Sequence, residues 1–153
     1  MTARLERRSA SRPVREARNR GREAALQMLY QWEVGRVPIA DVAESYWPLT
    51  ADDEPPEEVR VFATRLADGV AARVADIDPM IGEAAEHWRL ERLNVLDRLI
   101  LRLAIFELLH ERETPAKVVI NEALELARTF SGDEAVRFVN GVLDAVRRKL
   151  ERS

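Results

Sequence analysis

With 153 residues, 46% of them apolar and 33% charged, the chain is long enough to bury a core without a disulfide or metal staple. It contains no Cys, which excludes disulfide scaffolds, thiolate metal sites, iron–sulfur clusters and cysteine nucleophiles together. A net charge of −3, no apolar leader and no uncharged run near the ~18 residues of a membrane span predict one cytoplasmic domain without membrane contact.

The charge is unevenly spread. Residues 1–22 carry eight Arg (Arg4, Arg7, Arg8, Arg12, Arg15, Arg18, Arg20, Arg22) against Glu6 and Glu16, a balance of +6 that leaves −9 for the rest. A basic arm on an acidic body suits nucleic acid, because the arm can follow phosphates while the body resists non-specific collapse onto them. A solvated leader is the plainer alternative. Residues 1–14 are expected to form this flexible arm and 15–153 a single helical domain. Nearly all the cations are Arg, the exceptions being Lys117 and Lys149, so phosphate contacts would be forked guanidinium ones.

Beyond the arm the apolar periodicity is helical throughout, which predicts an all-α fold. A first helix over 23–34 puts Ala25, Leu26, Met28, Leu29 and Trp32 on one side and Arg20, Glu23, Gln27 and Gln31 on the other, with Gly35 and Pro38 ending it. A short helix over 39–47 follows, then an acidic loop in which Asp52 and Asp53 could cap the next element. Phe62, Leu66, Val70 and Val74 recur every four residues and predict a helix over 57–74. Asp78-Pro79 predicts the start of a separate helix, over 78–88.

The segment 95–109 has apolar side chains all round its helical wheel, the pattern of a buried central helix. Asp97, Arg98, Arg102 and Glu107 within it must therefore be paired, or else emerge at its ends. Thr114-Pro115 reads as an N-cap followed by a first-turn proline. Val119, Ile120, Ala123, Leu124, Ala127 and Phe130 carry the next helix to 130. Ser131-Gly-Asp-Glu134 combines a helix-ending glycine with a capping box for a last helix over 133–150. Helical spacing continues across Asn140-Gly141, which predicts that Gly141 marks a close helix contact.

Catalytic constellations are scarce. His87 and His110 stand on different helices without a second ligand at metal spacing, the glycines form no phosphate-cradling loop, and the carboxylates, such as Glu122 and Glu125, fit a solvated helix face. The chain reads as a binding protein that needs no cofactor. Single-stranded nucleic acid requires cations for its backbone and aromatic faces for its bases. Tyr30 lies about 20° from Glu23 and about 60° from Gln27 on the wheel, at the margin of the polar face. Phe138 opens the last helix beside Arg137. Both aromatics equally suit the boundary of a core.

Four segments, ARNRGREAALQMLYQWE (17–33), LDRLILRLAIFEL (96–108), VVINEALELARTF (118–130) and RFVNGVLD (137–144), together resemble the NusB-type transcription antitermination factors. Residues 35–92 agree only in their helical pattern. The resemblance implies a compact bundle of about seven helices in two sub-bundles. It also implies pairing with NusE, a small-subunit ribosomal protein, and binding of boxA single-stranded RNA in nascent rRNA leaders. With other Nus factors on RNA polymerase, such a pair suppresses Rho-dependent termination and assists rRNA synthesis and maturation; no reaction is catalysed. By position, the RNA-proximal set becomes Arg12, Arg15, Arg18, Arg20, Arg22, Gln27, Tyr30, Asp97, Arg137 and Phe138. Family members commonly carry Asp-Ser before FVNG where this chain has Glu134-Ala135, and an aromatic where it has Ala116, so two contacts are expected to be missing. Both monomers and homodimers fit the resemblance.

Two other classes fit the helical pattern. The same module forms the N-terminal RNA-binding domain of an rRNA cytosine methyltransferase, but that enzyme needs a long cofactor-binding domain with a cysteine nucleophile, which 153 residues without Cys are not expected to supply. A helical adaptor binding only protein would use the acidic body as its partner face, and salt-dependent RNA binding separates it from the first reading.

Overall fold

The computed structural model describes residues 12–50, 55–85 and 93–152, with the side chains of 48–50 and 152 left aside. Among the described residues there are six helices and no strand: α1 (Arg12–Gly35), α2 (Ile39–Thr50), α3 (Glu57–Ala84), α4 (Val95–His110), α5 (Ala116–Phe130) and α6 (Asp133–Arg152). No described helix is long and apolar enough to cross a membrane. α1, α2 and α3 pack on one another, as do α4, α5 and α6, and α4 joins the two groups by also packing on α1 and α3. This is the expected pair of sub-bundles.

α1 begins at Arg12, so residues 12–14 are helical although they were expected in the arm; residues 1–11 of that arm lie outside the described residues. Ala24, Ala25, Leu26, Met28 and Leu29 are buried on its core face. The helix ends as Arg36 takes the left-handed conformation (φ 57°), and Pro38 precedes α2. The acidic loop with Asp52 and Asp53 is outside the described residues, as is His87.

The helices expected over 57–74 and 78–88 adjoin within one element, α3, broken by a kink at Arg73, whose geometry is non-helical (φ −121°, ψ 16°); the first ends about where it was expected, and the second starts before Asp78, with Pro79 inside it. Pro79 has no N–H to offer the carbonyl one turn earlier and its ring crowds that turn, yet the break lies six residues before it, at Arg73. The chain stays helical through Pro79, where Ile77 and Ile81 are fully buried on the core side and Asp78 is held by Arg102.

α4 is the buried centre that its apolar wheel predicts. Asn94 caps it by accepting from the Leu96 N–H at 2.8 Å, and every residue from Leu99 to Glu107 is buried. Its charged groups are paired across helices. Arg22 of α1 forks onto Glu107, with Nε and Nη2 at 2.8 and 2.9 Å from the two carboxylate oxygens and both side chains at most 3% exposed. Arg102 donates through Nε and Nη2 to Asp78 of α3 at 2.8 and 2.9 Å and through Nη1 to Glu33 of α1. Because each guanidinium is met by carboxylates, the apolar centre holds no unmatched charge at these positions.

Two local expectations are corrected. Thr114 is not the cap of α5: Pro115, extended at ψ 142°, occupies that position without a side-chain bond, and the helix starts one residue later. Gly141 is exposed, and a methyl group there would meet nothing within 4 Å, so it marks no close contact. The tight positions are Gly69, where a Cβ would fall 2.2 Å from the Phe106 ring, and Gly21, where it would fall 2.8 Å from Phe62. Gly132 does end α5, with φ +126° and its N–H donating to the Ala127 carbonyl at 2.8 Å.

Candidate nucleic-acid interface

The ion pairs fix how α1 lies against α4. Arg22 meets Glu107, whereas Glu33, further along α1, meets Arg102 and lies 3.6 Å from Arg98. The two helices are therefore antiparallel, and the start of α4 sits beside the end of α1. Arg12 and Tyr30 are 18 residues apart on one helix, a separation of about 27 Å. The residues expected to contact RNA consequently fall into two groups.

At the end of α1, Tyr30 is 42% exposed, one turn before Glu33. Arg98, which faces Glu33, adjoins Asp97 in the first turn of α4. Asp97 in turn accepts a hydrogen bond from the Ser131 hydroxyl at 2.5 Å, which ties the start of α4 to the junction of α5 and α6. Arg137 is exposed in the second turn of α6, and Phe138 is half-buried against the core. Tyr30, Asp97, Arg137 and Phe138 are thus linked to one end of the molecule by the Glu33–Arg98 and Asp97–Ser131 contacts.

The arginines lie toward the opposite end of α1, and Gln27 lies between them and Tyr30. Arg12 and Arg15 are exposed, and among the described residues Arg12 pairs with Glu16 at 3.4 Å, facing solvent. Arg18 is half-buried with its guanidinium 6.0 Å from the Phe62 ring centre. Arg20 is exposed and shares a cavity of about 180 Å³ with Glu23, Gln27, Tyr46 and Trp47. Gln27 is exposed, and its carbonyl oxygen accepts from the Tyr46 hydroxyl. Burial and the neighbouring Glu23 raise the Tyr46 pKa, which keeps that hydroxyl protonated as a donor.

Arg22 is the exception to the expected set. It is 3% exposed and its fork is filled by Glu107, so it braces the core instead of reaching phosphate. Beside it, Glu122 of α5 is half-buried; burial first, then Glu125 and Glu107, raise its pKa against the opposing pull of Arg22 and Arg15. The basic end of α1 is therefore felt by the acidic face of α5.

Sequence reasoning read Ser131 only as part of a capping box, whereas its hydroxyl goes to Asp97, and it overlooked Glu33. Both are polar residues at helix ends, where capping or solvation accounts for them, and their partners lie 34 and at least 65 positions away. His110 is a structural aromatic: its ring centre lies 5.0 Å from that of Phe106, and burial, then Arg73, lower its pKa. An open cleft of about 880 Å³ between α2 and α3, where Arg60 lies 5.9 Å from the Trp47 ring, adjoins the cavity of Arg20 and Gln27 through Trp47. Among the described residues no cluster of His, Asp or Glu could hold a metal ion.

The NusB family model matches residues 19–148. The chain is 47% identical over 134 residues to the transcription antitermination protein NusB of Solibacter usitatus, covering 88% of this chain and 90% of that protein. It is 43% identical over 132 residues to the same protein of Myxococcus xanthus, covering 85% and 94%. Among solved structures, T. maritima NusB superposes with a TM-score of 0.78 at 34% identity, covering 86% of this chain and 91% of that one. A chain from a crystal structure of the antitermination factors NusB and NusE in complex with dsRNA has the same fold, with a TM-score of 0.75 at 24% identity and coverage of 88% and 98%. Its segments 17–33, 96–108, 118–130 and 137–144 fall within one bundle that these relatives share, and the chain belongs to the NusB family of transcription antitermination proteins.

Proposed function

We propose that this protein binds boxA single-stranded RNA of nascent rRNA leaders together with NusE. In the cytoplasm, within an RNA polymerase complex containing other Nus factors, the pair suppresses Rho-dependent termination and assists rRNA synthesis and maturation. The protein acts by binding, and no chemical step is assigned to it.

The observation that carries this reading is the convergence of Tyr30, Asp97, Arg137 and Phe138 on one end of the molecule through contacts between α1, α4 and the α5–α6 junction. An exposed aromatic face, an acceptor and a cation are the groups that single-stranded RNA requires. The exposed arginines along α1 supply the electrostatic component, and Arg22 is withdrawn from it. The relative structure solved with NusE and dsRNA supports a ribonucleoprotein role for this bundle.

The test is a titration of labelled boxA RNA with this protein, alone and with its own NusE, over a range of salt concentrations. Saturable binding that NusE tightens and salt weakens is the expected result. Binding to NusE with no RNA affinity at any salt concentration would instead identify a protein-only adaptor. Sedimentation of the same samples distinguishes a monomer from a homodimer.

A further inference from the structure

We propose that Ser131 is a positioning residue that sets Asp97 to read the amino group of a nucleobase; this rests on the RNA-binding reading above. A carboxylate next to RNA repels phosphate, so its productive use there is to accept a hydrogen bond from a base edge, as an acidic side chain does from the N4 amino group of cytosine. To discriminate, the acceptor must be held in one orientation. A short Asp side chain in the first turn of a helix keeps rotameric freedom unless a donor fixes it.

Ser131 supplies that donor. Its hydroxyl lies 2.5 Å from Asp97 Oδ1, across 34 residues of sequence, which leaves Oδ2 of this half-buried side chain for a second donor. The serine is itself well placed to be rigid. It follows the last turn of α5, its N–H donates to the Ala127 carbonyl at 2.9 Å, and the N–H of the next residue, Gly132, donates to the same carbonyl at 2.8 Å. Asp97 is likewise anchored, because α4 is capped by Asn94 and the adjoining Arg98 faces Glu33. The hydroxyl thus joins two fixed backbones through one oriented carboxylate, and Tyr30 and Phe138 lie on the same end for stacking. The ligand is a single-stranded RNA with a cytosine at the position that meets Asp97.

The experiment compares the full-length parent with Ser131→Ala, Ser131→Thr, Asp97→Asn and the Ser131→Ala/Asp97→Asn double variant. Each is titrated with boxA RNA and with a set in which every cytosine is replaced in turn by uridine, which exchanges the amino donor for a carbonyl. One replacement should weaken the parent about tenfold, as expected for removal of a hydrogen bond to a charged acceptor. Ser131→Ala should lose most of that discrimination while the salt slope stays constant, because no phosphate contact is removed. Ser131→Thr should restore it, and Ser131→Ala should add nothing to Asp97→Asn. Circular dichroism melts of the same samples normalise binding to folded protein. Equal loss on all RNAs, additive effects of the two substitutions, or no effect of Ser131→Ala on a parent that binds RNA each overturns the inference alone. A parent that binds no RNA overturns the RNA reading and the inference with it.

Discussion

Tyr30 and Phe138 divide the work of an aromatic side chain differently. Tyr30 is 42% exposed, so its ring is available to a base, whereas Phe138 is half-buried and packs partly against the core. Replacing either by Ala is expected to weaken boxA binding by roughly 1–3 kcal/mol through the absence of stacking. Melting temperature should fall more for Phe138→Ala than for Tyr30→Ala; affinity per folded molecule, from titration with parallel calorimetry, checks the assignment, and unchanged affinity would return both to packing. Glu122 makes a prediction about pH. Its folded pKa is raised, chiefly by burial, so the folded chain holds this proton more tightly than the unfolded one. Stability conferred by the protonated form is therefore lost as pH rises through the carboxylate range, and ionised Glu122 costs stability at neutral pH. Glu122→Gln should melt above the parent at about pH 7 and converge with it as pH falls below the ordinary Glu value of about 4.3. Melts of both proteins across that interval decide it, and a constant difference would remove ionisation as the cause.

Among the helices, glycine content has opposite meanings at two sites. Gly69 lets α3 approach α4 so closely that an added Cβ would fall inside the Phe106 ring, which is itself buried. Gly69→Ala must push the helices apart and should lower stability by about 1–3 kcal/mol, the range for overpacking. Gly141 is exposed within α6 with open space around it, so Gly141→Ala should raise stability by up to about 1 kcal/mol through helix propensity. Denaturant unfolding of the pair measures both signs. The helical path of α3 through Pro79 follows the same logic of packing over local preference. Pro79 disfavours continuation, yet buried Ile77 and Ile81 and the Asp78–Arg102 pair keep the chain helical through it.

For the molecule as a whole, charge segregation and helix direction act together. Exposed Arg12, Arg15 and Arg20 lie about 27, 22 and 15 Å along α1 from Tyr30, so an RNA reaching all of them must run along the protein instead of occupying one pocket. Deleting residues 1–11 removes Arg4, Arg7 and Arg8 while leaving every described residue of α1. That truncation should keep the melting temperature and reduce the log–log salt slope of RNA binding by about 0.7 for each phosphate that is no longer neutralised. An unchanged slope would take the arm out of the interface.

Much of the fold was legible because its causes are local. The apolar wheel of 95–109 identified α4 as the buried centre, four-residue spacing identified the core face of α3, and Gly132 announced the end of α5. The same wheel required partners for Arg102 and Glu107 without naming them. What only the tertiary structure decided were the pairings across the chain: Arg22 with Glu107, 85 residues away, Arg102 with Asp78 and Glu33, and Ser131 with Asp97. The first of these turned an expected phosphate ligand into a core brace, and the last brought a serine read as a helix cap to the candidate interface. Periodicity and capping depend on neighbours within a turn or two, so a sequence displays them directly. The partner of a buried charge depends on which helices pack, in which direction and at what register, and that is settled only when the whole apolar core closes.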